Sequence, residues 1–265
     1  MLPNIISHQN KLGLYVHWPF CVSKCPYCDF NSHIQMDLDI KRWRLAYISE
    51  LRWMAKKYKQ NVNQPAVIYS VFFGGGTPSL MPTCIIEEIL DTLEELFIIH
   101  PEIEITAEAN PSSSEIKNLS AFKKLGVNRL SLGAQSLNQN TLNFLERGHN
   151  IQDIYSALDV ASELFSQISA DFIYGIPDQS KETWKAELTQ ILKLGLSHIS
   201  AYQLTIEPGT QFFTRSNKGE ILTCDDKVIS DLYKLTNDVL TNYGYETYEI
   251  SNYAKPNAQC LHNLL

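Results

Sequence analysis

The stretch LGLYVHWPFCVSKCPYCDF, Leu12 to Phe30, runs from an apolar, aromatic and β-branched segment into a loop carrying Cys21, Cys25 and Cys28, stiffened by Pro19 and Pro26. A strand that ends in a chemistry-bearing loop opens an alternation that continues along the chain. A helical pattern from about Leu38 to Tyr58 leads to the strand pattern VIYSVFFGGG, and one from about Thr83 to Phe97 leads to EIEITAEANP. Helical segments then separate NRLSLGAQS, ISADFIYGIP, HISAYQLTI and YETYEIS, with helices expected at about Ser113–Leu125, up to Leu164, Lys181–Leu194 and Asp226–Tyr243. Alternation without a strand-only or helix-only block predicts an α/β fold with a parallel sheet and outer helices. Both an open doubly wound sheet and a full or partial (β/α) barrel satisfy it. In either, sites lie at the C-terminal ends of strands, where the unusual residues of this chain collect.

Local chemistry marks the element ends. Ser112 and Glu115 have capping-box spacing after Pro111, and Gly126, Gly195 and Gly244 each close a helical pattern ahead of a strand. No internal repeat, low-complexity tract or linker interrupts the pattern, so the 265 residues read as one domain.

Bulk properties exclude several classes. Hydrophobic residues make up 44% of the chain, and no apolar run approaches the roughly 18 residues a membrane helix needs. The N-terminus lacks the charged and apolar regions of a secretory signal, which points to the cytoplasm. A net charge of −7 argues against nucleic acid as a partner, and Lys56, Lys57 and Lys59 read as a solvated helix end. Cys84, Cys224 and Cys260 stand far apart, as small buried residues would, so no disulfide framework is expected.

The C-x3-C-x2-C triplet is one thiolate short of a tetrahedral site. Zinc with His17, Asp29 or His33 as fourth ligand is one solution. A cubane iron–sulfur cluster with one iron open to a chelating ligand is the other. GGGTPS, Gly74 to Ser79, is either a plain strand-to-helix turn or a loop whose backbone approaches a bound molecule. Glu108, Asn110, Gln135, Ser136 and Asp171 are polar residues at successive strand exits, and on adjacent parallel strands they would converge on one pocket mouth suited to an amino acid plus a nucleoside. Arg147 in LERGHN can pair with a carboxylate bidentately or sit on the surface. His262 and Asn263 read as a solvated tail.

Together, YVHWPFCVSKCPYCDF, FFGGGTPS, EANP, NRLSLGAQS, LERGHN, DFIYGIP, HISAYQLTIEPGT and YEISNYAKPNAQCLHN resemble the radical S-adenosylmethionine (SAM) superfamily, in order over nearly the whole chain from Tyr15. Within it the likeness is to the group of anaerobic coproporphyrinogen dehydrogenases and HemW-type heme chaperones. The resemblance implies a partial (β/α)6 TIM-like barrel in which Cys21, Cys25 and Cys28 hold a [4Fe–4S] cluster. SAM would occupy the open iron, where one electron cleaves its sulfonium to a 5′-deoxyadenosyl radical. It further implies that Tyr15, Gly75, Gly76 and Thr77 line the methionine side of SAM, that Glu108, Gln135, Arg147 and Asp171 complete the pocket, and that Asp171 meets the ribose hydroxyls.

Within the group, the dehydrogenases carry a further cysteine two positions after the third and an N-terminal extension. Here Phe30 occupies that position and fourteen residues precede Tyr15. Both departures, with EISNYA and CLHN, point to the heme-chaperone branch. That branch implies heme as cargo, a heme-accepting protein, soluble or membrane-associated, and a reductant protein such as flavodoxin or ferredoxin. The alternative is an oxygen-independent coproporphyrinogen III oxidase. Family members continue past His262-Asn263 into a heme-linked motif and a smaller C-terminal domain, so this chain reads as the core domain alone, truncated or reduced, with His262 and Asn263 a remnant of the heme motif.

Overall fold

Period-two alternation shapes the strands of this computed structural model, which describes residues 10–35 and 37–265. In Arg129–Gln135, Leu130, Leu132 and Ala134 are buried toward the helices, whereas Arg129, Ser131, Gly133 and Gln135 share the opposite face. Gln167–Tyr174 repeats the pattern, with Ala170, Phe172 and Tyr174 on the helix side and Ser169, Asp171 and Ile173 on the other.

In chain order the strands are β1 Asn10–Trp18, β2 Phe20–Cys21, β3 His33–Ile34, β4 Ala66–Gly75, β5 Ile98–Ala109, β6 Arg129–Gln135, β7 Gln167–Tyr174, β8 His198–Gln203, β9 Glu246–Glu249 and β10 Asn252–Ala254. The helices are α1 Ile40–Asn61, α2 Thr83–Leu96, α3 Ser113–Lys124, α4 Gln139–Phe144, α5 Ile151–Leu164, α6 Lys181–Lys193, α7 Gln211–Ser216, α8 Asp226–Asn242 and α9 Leu261–Leu264. The main sheet runs β1-β4-β5-β6-β7-β8-β10-β9, its first six strands all parallel. Among these six parallel strands the order never reverses, so they form no switch point and the doubly wound alternative falls away. The sheet is a curled half-barrel, the partial (β/α)6 fold, with helices on its convex face and a polar lumen on the other.

The core lies between sheet and helices. Ile85, Ile86, Ile89 and Leu93 of α2, Phe122 of α3, Ile154 and Ala161 of α5, and Trp184 and Leu188 of α6 pack with the outward strand residues in one buried cluster. Trp184 is fully buried and donates Nε1–H to Thr236 Oγ1 at 2.8 Å, joining α6 to α8.

Helix ends follow the expected chemistry with one difference. Gly126 takes φ 97°, and the bonds Gly126 N–H to Lys123 O and Val127 N–H to Phe122 O, both 3.1 Å, close α3 in a Schellman turn. Asn150 with Asp153 and Ser180 with Thr183 form capping boxes on α5 and α6. Glu115, in contrast, accepts not only from the N-cap Ser112 Oγ at 3.1 Å but also from Asn110 and Ser79, which lie outside its helix.

The end of the chain departs from pure βα alternation. YETYEIS contributes β9, which pairs antiparallel with β10, itself antiparallel to β8, because the two residues between β9 and β10 are too few for a parallel crossover. Cys260 is buried and Cys224 half-buried, but Cys84 is exposed on the solvent side of α2, contrary to its expected burial. No described helix is long and apolar enough to cross a membrane.

Candidate functional site

The cysteine loop is tied down at both ends and along one flank. β2 and β3 pair Phe20 with His33 and Cys21 with Ile34, and His33 N–H donates to Pro19 O at 2.7 Å. Inside the loop, Cys28 N–H bonds Cys25 O at 3.1 Å and Lys24 Nζ reaches Phe30 O at 3.1 Å. Phe212 N–H of α7 holds Pro26 O at 2.9 Å. The three thiols are half-buried and Phe30 is 55% exposed.

The glycine loop after β4 lies directly against this one. Gly76 N–H donates to Trp18 O at 2.7 Å and Thr77 N–H to Phe20 O at 2.9 Å. A Cβ on Gly76 would sit 2.8 Å from Phe20 O and 3.0 Å from Cys21 Sγ, so only glycine permits this approach. Gly75, at φ 113°, donates its N–H to Glu108 Oε2 at 3.1 Å.

Arg147 does not lie on the surface. Its Nη1 donates to Cys25 Sγ at 3.1 Å and Tyr27 OH at 3.3 Å, and its Nη2 to Gly133 O at 3.2 Å and to Asn110 Oδ1. No protein carboxylate takes the bidentate pairing that the sequence suggests, and the buried Nε has no partner among the described residues. Gln135 stands nearby in the left-handed region, φ 69°. Its Nε2 would lie 2.9 Å from a Cβ on Gly133, which keeps that position open.

The inward faces of β5, β7 and β8 bring Glu108 and Asp171 together with Tyr202, which is 42% exposed at the mouth. Burial, and then the Asp171 charge, push the Glu108 carboxyl up to about 8 despite the Gly75 N–H. Asp171 accepts from Ser131 Oγ at 3.2 Å and is also raised, chiefly by burial. Tyr15, 48% exposed, bonds His17 Nδ1 at 3.1 Å through its hydroxyl, and burial with Glu108 nearby pushes its phenol up to about 12. Acceptors facing a wet mouth on alternate strands suit hydroxyl and ammonium donors of a polar ligand.

His262 is half-buried and not a solvated tail histidine, whereas Asn263, Leu264 and Leu265 are exposed. His262 is seated against Phe72, ring centroids 5.2 Å apart, with Nδ1 2.9 Å from Ser70 Oγ and its N–H on Glu104 Oε1 at 3.3 Å. Asn263 Nδ2 donates to Tyr248 OH at 3.2 Å. Tyr15 lies 6.3 Å from the His262 ring, so the segment shares the lumen with the predicted pocket.

His17 Nε2 is engaged by Asn31 O at 2.8 Å and His33 Nε2 by Asn31 Oδ1 at 3.1 Å. Among the described residues no three His, Cys, Asp or Glu groups gather round one point. A single zinc ion needs four ligands within about 2.0–2.3 Å of one centre, and two of the three candidate fourth ligands, His17 and His33, are engaged by Asn31. Three thiols on a pinned loop, with a guanidinium on one and a glycine backbone on another, fit a larger polynuclear cluster with one position open.

Sequence reasoning missed Tyr27, Ser131, Tyr202 and Glu104. The period-two alternation of RLSLGAQ and ISADFIY held the signal for the lumen residues, since a sheet covered by helices on both faces has no polar face.

Comparison with known proteins agrees with the geometry. The radical SAM superfamily pattern matches residues 15–191. The heme chaperone HemW of Haemophilus influenzae is 38% identical over 255 residues, covering 96% of this chain and 65% of that protein. Radical S-adenosyl methionine domain-containing protein 1, mitochondrial, of Danio rerio is 36% identical, covering 98% of this chain and 58% of that protein. Among solved structures, the coproporphyrinogen III oxidase HemN of Escherichia coli, described as a radical SAM enzyme, superposes with TM-score 0.79 at 26% identity, over 94% of this chain and 56% of that one. The chain thus spans less than two thirds of the length of these relatives, and over the part it shares with them it belongs to the radical SAM superfamily.

Proposed function

We propose that Cys21, Cys25 and Cys28 hold a [4Fe–4S] cluster, that SAM binds in the adjoining lumen, and that the protein binds heme and delivers it to an acceptor protein without oxidising coproporphyrinogen. The observation that carries this reading is the joint placement of three thiols, the Gly75–Thr77 backbone and Arg147 around one mouth above Glu108 and Asp171. When bound, the cluster and SAM supply one-electron chemistry at a sulfonium. The chain's own contribution is placement. Gly76 brings backbone against Cys21, Arg147 offers positive charge and an unpartnered Nε toward an anionic group, and Asp171 with Ser131 offers acceptor and hydroxyl for a nucleoside. Phe30, at the place where the oxidases carry a further cysteine, and the HemW-named relatives support the chaperone over the oxidase. We read the chain as the core domain of that family, working in a thiol-reducing compartment such as the cytoplasm with a flavodoxin- or ferredoxin-type reductant.

Anaerobic reconstitution with iron and sulfide, followed by absorbance and electron paramagnetic resonance (EPR) with and without SAM, tests the first step. About four irons per chain and a SAM-dependent spectral change are expected, whereas a colourless protein holding one zinc sinks the reading. Heme titration should give a saturable Soret shift. Conversion of coproporphyrinogen in the presence of SAM and dithionite would replace the chaperone by the oxidase.

A further inference from the structure

We propose that Glu115 and Asn110 are positioning residues that aim Arg147 at Cys25, and that this contact sets the reduction potential of the cluster; the inference rests on the cluster reading above. Glu115, in the first turn of α3, is buried. Its carboxylate accepts from Asn110 N–H at 2.7 Å, Asn110 Nδ2 at 3.2 Å, Ser112 Oγ at 3.1 Å and Ser79 Oγ. It thereby fastens the turn after β5 to the glycine-rich loop after β4, beyond what a helix cap alone requires.

The orientation of one amide follows from this. A carboxylate can only accept, so it captures the NH2 side of Asn110 and leaves Oδ1 facing away. That oxygen meets Nη2 of Arg147, which is also held by Gly133 O at 3.2 Å. A Cβ on Gly133 would lie 3.3 Å from Asn110 Oδ1 and 3.6 Å from Nη2, so the glycine leaves room for the pair. Because the guanidinium is a rigid planar fork, fixing Nη2 also fixes the direction of Nη1, which donates to Cys25 Sγ at 3.1 Å.

The relay Glu115–Asn110–Arg147–Cys25 therefore connects a buried carboxylate on α3 to a ligand sulfur by successive hydrogen bonds. A cationic donor on a ligating sulfur stabilises the extra negative charge of a reduced cluster, which raises its potential. Nothing else in the chain brings a cation to that sulfur among the described contacts.

The sign of the effect makes the proposal testable. Removing a buried negative charge through Glu115→Gln would, by through-space electrostatics alone, raise the potential. The relay predicts the opposite, because a glutamine can donate and lets the Asn110 amide turn its NH2 toward Arg147. The full chain is reconstituted with iron and sulfide, and its potential is measured by dye-mediated EPR titration against dithionite for the parent, Glu115→Gln, Asn110→Ala and a double variant that combines Asn110→Asp with Glu115→Gln. Both single variants should retain parental iron, shift to more negative potential, and need at least about tenfold more SAM for the spectral change. In the double variant the amide introduced on α3 donates and the carboxylate introduced after β5 accepts from Arg147, so the potential should return toward the parental value. Single variants with an unchanged or raised potential overturn the proposal, as does a double variant no closer to the parent than the singles. Should Glu115→Gln fail to fold, as judged by circular dichroism, Asn110→Ala alone decides by the same criterion. A parent that takes up no iron and sulfide instead overturns the cluster reading.

Discussion

Glu108 on β5 and Asp171 on β7 point into the same lumen across β6; burial first and the Asp171 charge second raise the Glu108 carboxyl, and burial raises Asp171. Two carboxyls on alternate strands, with Ser131 between them and donating to Asp171, line the floor of the pocket.

A pH dependence follows. Glu108 is raised from 4.5 to about 8, so between those values the folded chain binds more protons than the unfolded one. Stability contributed at this site is therefore present at low pH and lost as pH rises through that window. Denaturant melts of the unloaded protein at pH 5 and pH 8 should show the loss, and Glu108→Gln should flatten it. An unchanged profile in the variant would show that the carboxyl ionises freely.

Gly76→Ala should strike at the cysteine loop. Its Cβ would press on backbone atoms of Phe20 at 2.8 and 2.9 Å, which cannot rotate away. A cost of about 1–3 kcal/mol in thermal or chemical melts is expected, together with reduced iron uptake. Gly148→Ala, where nothing lies within 4 Å of the added methyl, is the matched control and should behave as the parent.

The seating of the C-terminal segment depends on Tyr248. Its hydroxyl contacts His198 Nε2 at 2.7 Å and receives Cys260 N–H and Asn263 Nδ2, both at 3.2 Å. Tyr248→Phe leaves those groups without this partner and should destabilise the fold by about 1–3 kcal/mol. Amide exchange at residues 260–264 should accelerate more than exchange in α2, and equal acceleration in both would show that the hydroxyl holds nothing locally.

His198 adds an acid limit. Burial, with Arg129 nearby, lowers its imidazole from 6.5 to about 3, so the folded chain binds fewer protons than the unfolded one between those values. Its contribution is present above pH 6.5 and lost as pH falls through that window. His198→Gln should make the acid limb of the stability profile shallower, as read by melts from pH 7 to pH 4.

Replacing Cys21, Cys25 or Cys28 singly by alanine should abolish cluster assembly while leaving the barrel folded, because the three thiols are half-buried in a loop outside the main hydrophobic cluster. Iron content and far-ultraviolet circular dichroism separate the two outcomes. Retention of four irons after any one replacement would remove that residue from the ligand set.

Much of this was legible in advance. Helix periodicity and caps located α1, α2, α3, α6 and α8 to within a few residues, because amphipathic faces and terminal glycines are local features. The short elements β2, β3, α7 and α9 escaped notice, since two to six residues carry no period. The strand-exit residues stood out by polarity, yet a linear chain could not tell a surface Arg147 from one lodged on Cys25, 122 positions away.

The sequence by itself determined the alternation of strands and helices, the three-thiol donor set and the membership those motifs imply, because spacing and periodicity are properties of neighbours along the chain. Only the tertiary structure decided that the six parallel strands follow one another without reversal, that alternate residues face a polar lumen, and that His262 belongs to its wall. It also placed Glu115 and Asn110 behind the arginine at Cys25. Most of these are relations between residues tens of positions apart, up to 192 for Ser70 and His262, and they exist only once the sheet has curled and brought its inward faces together.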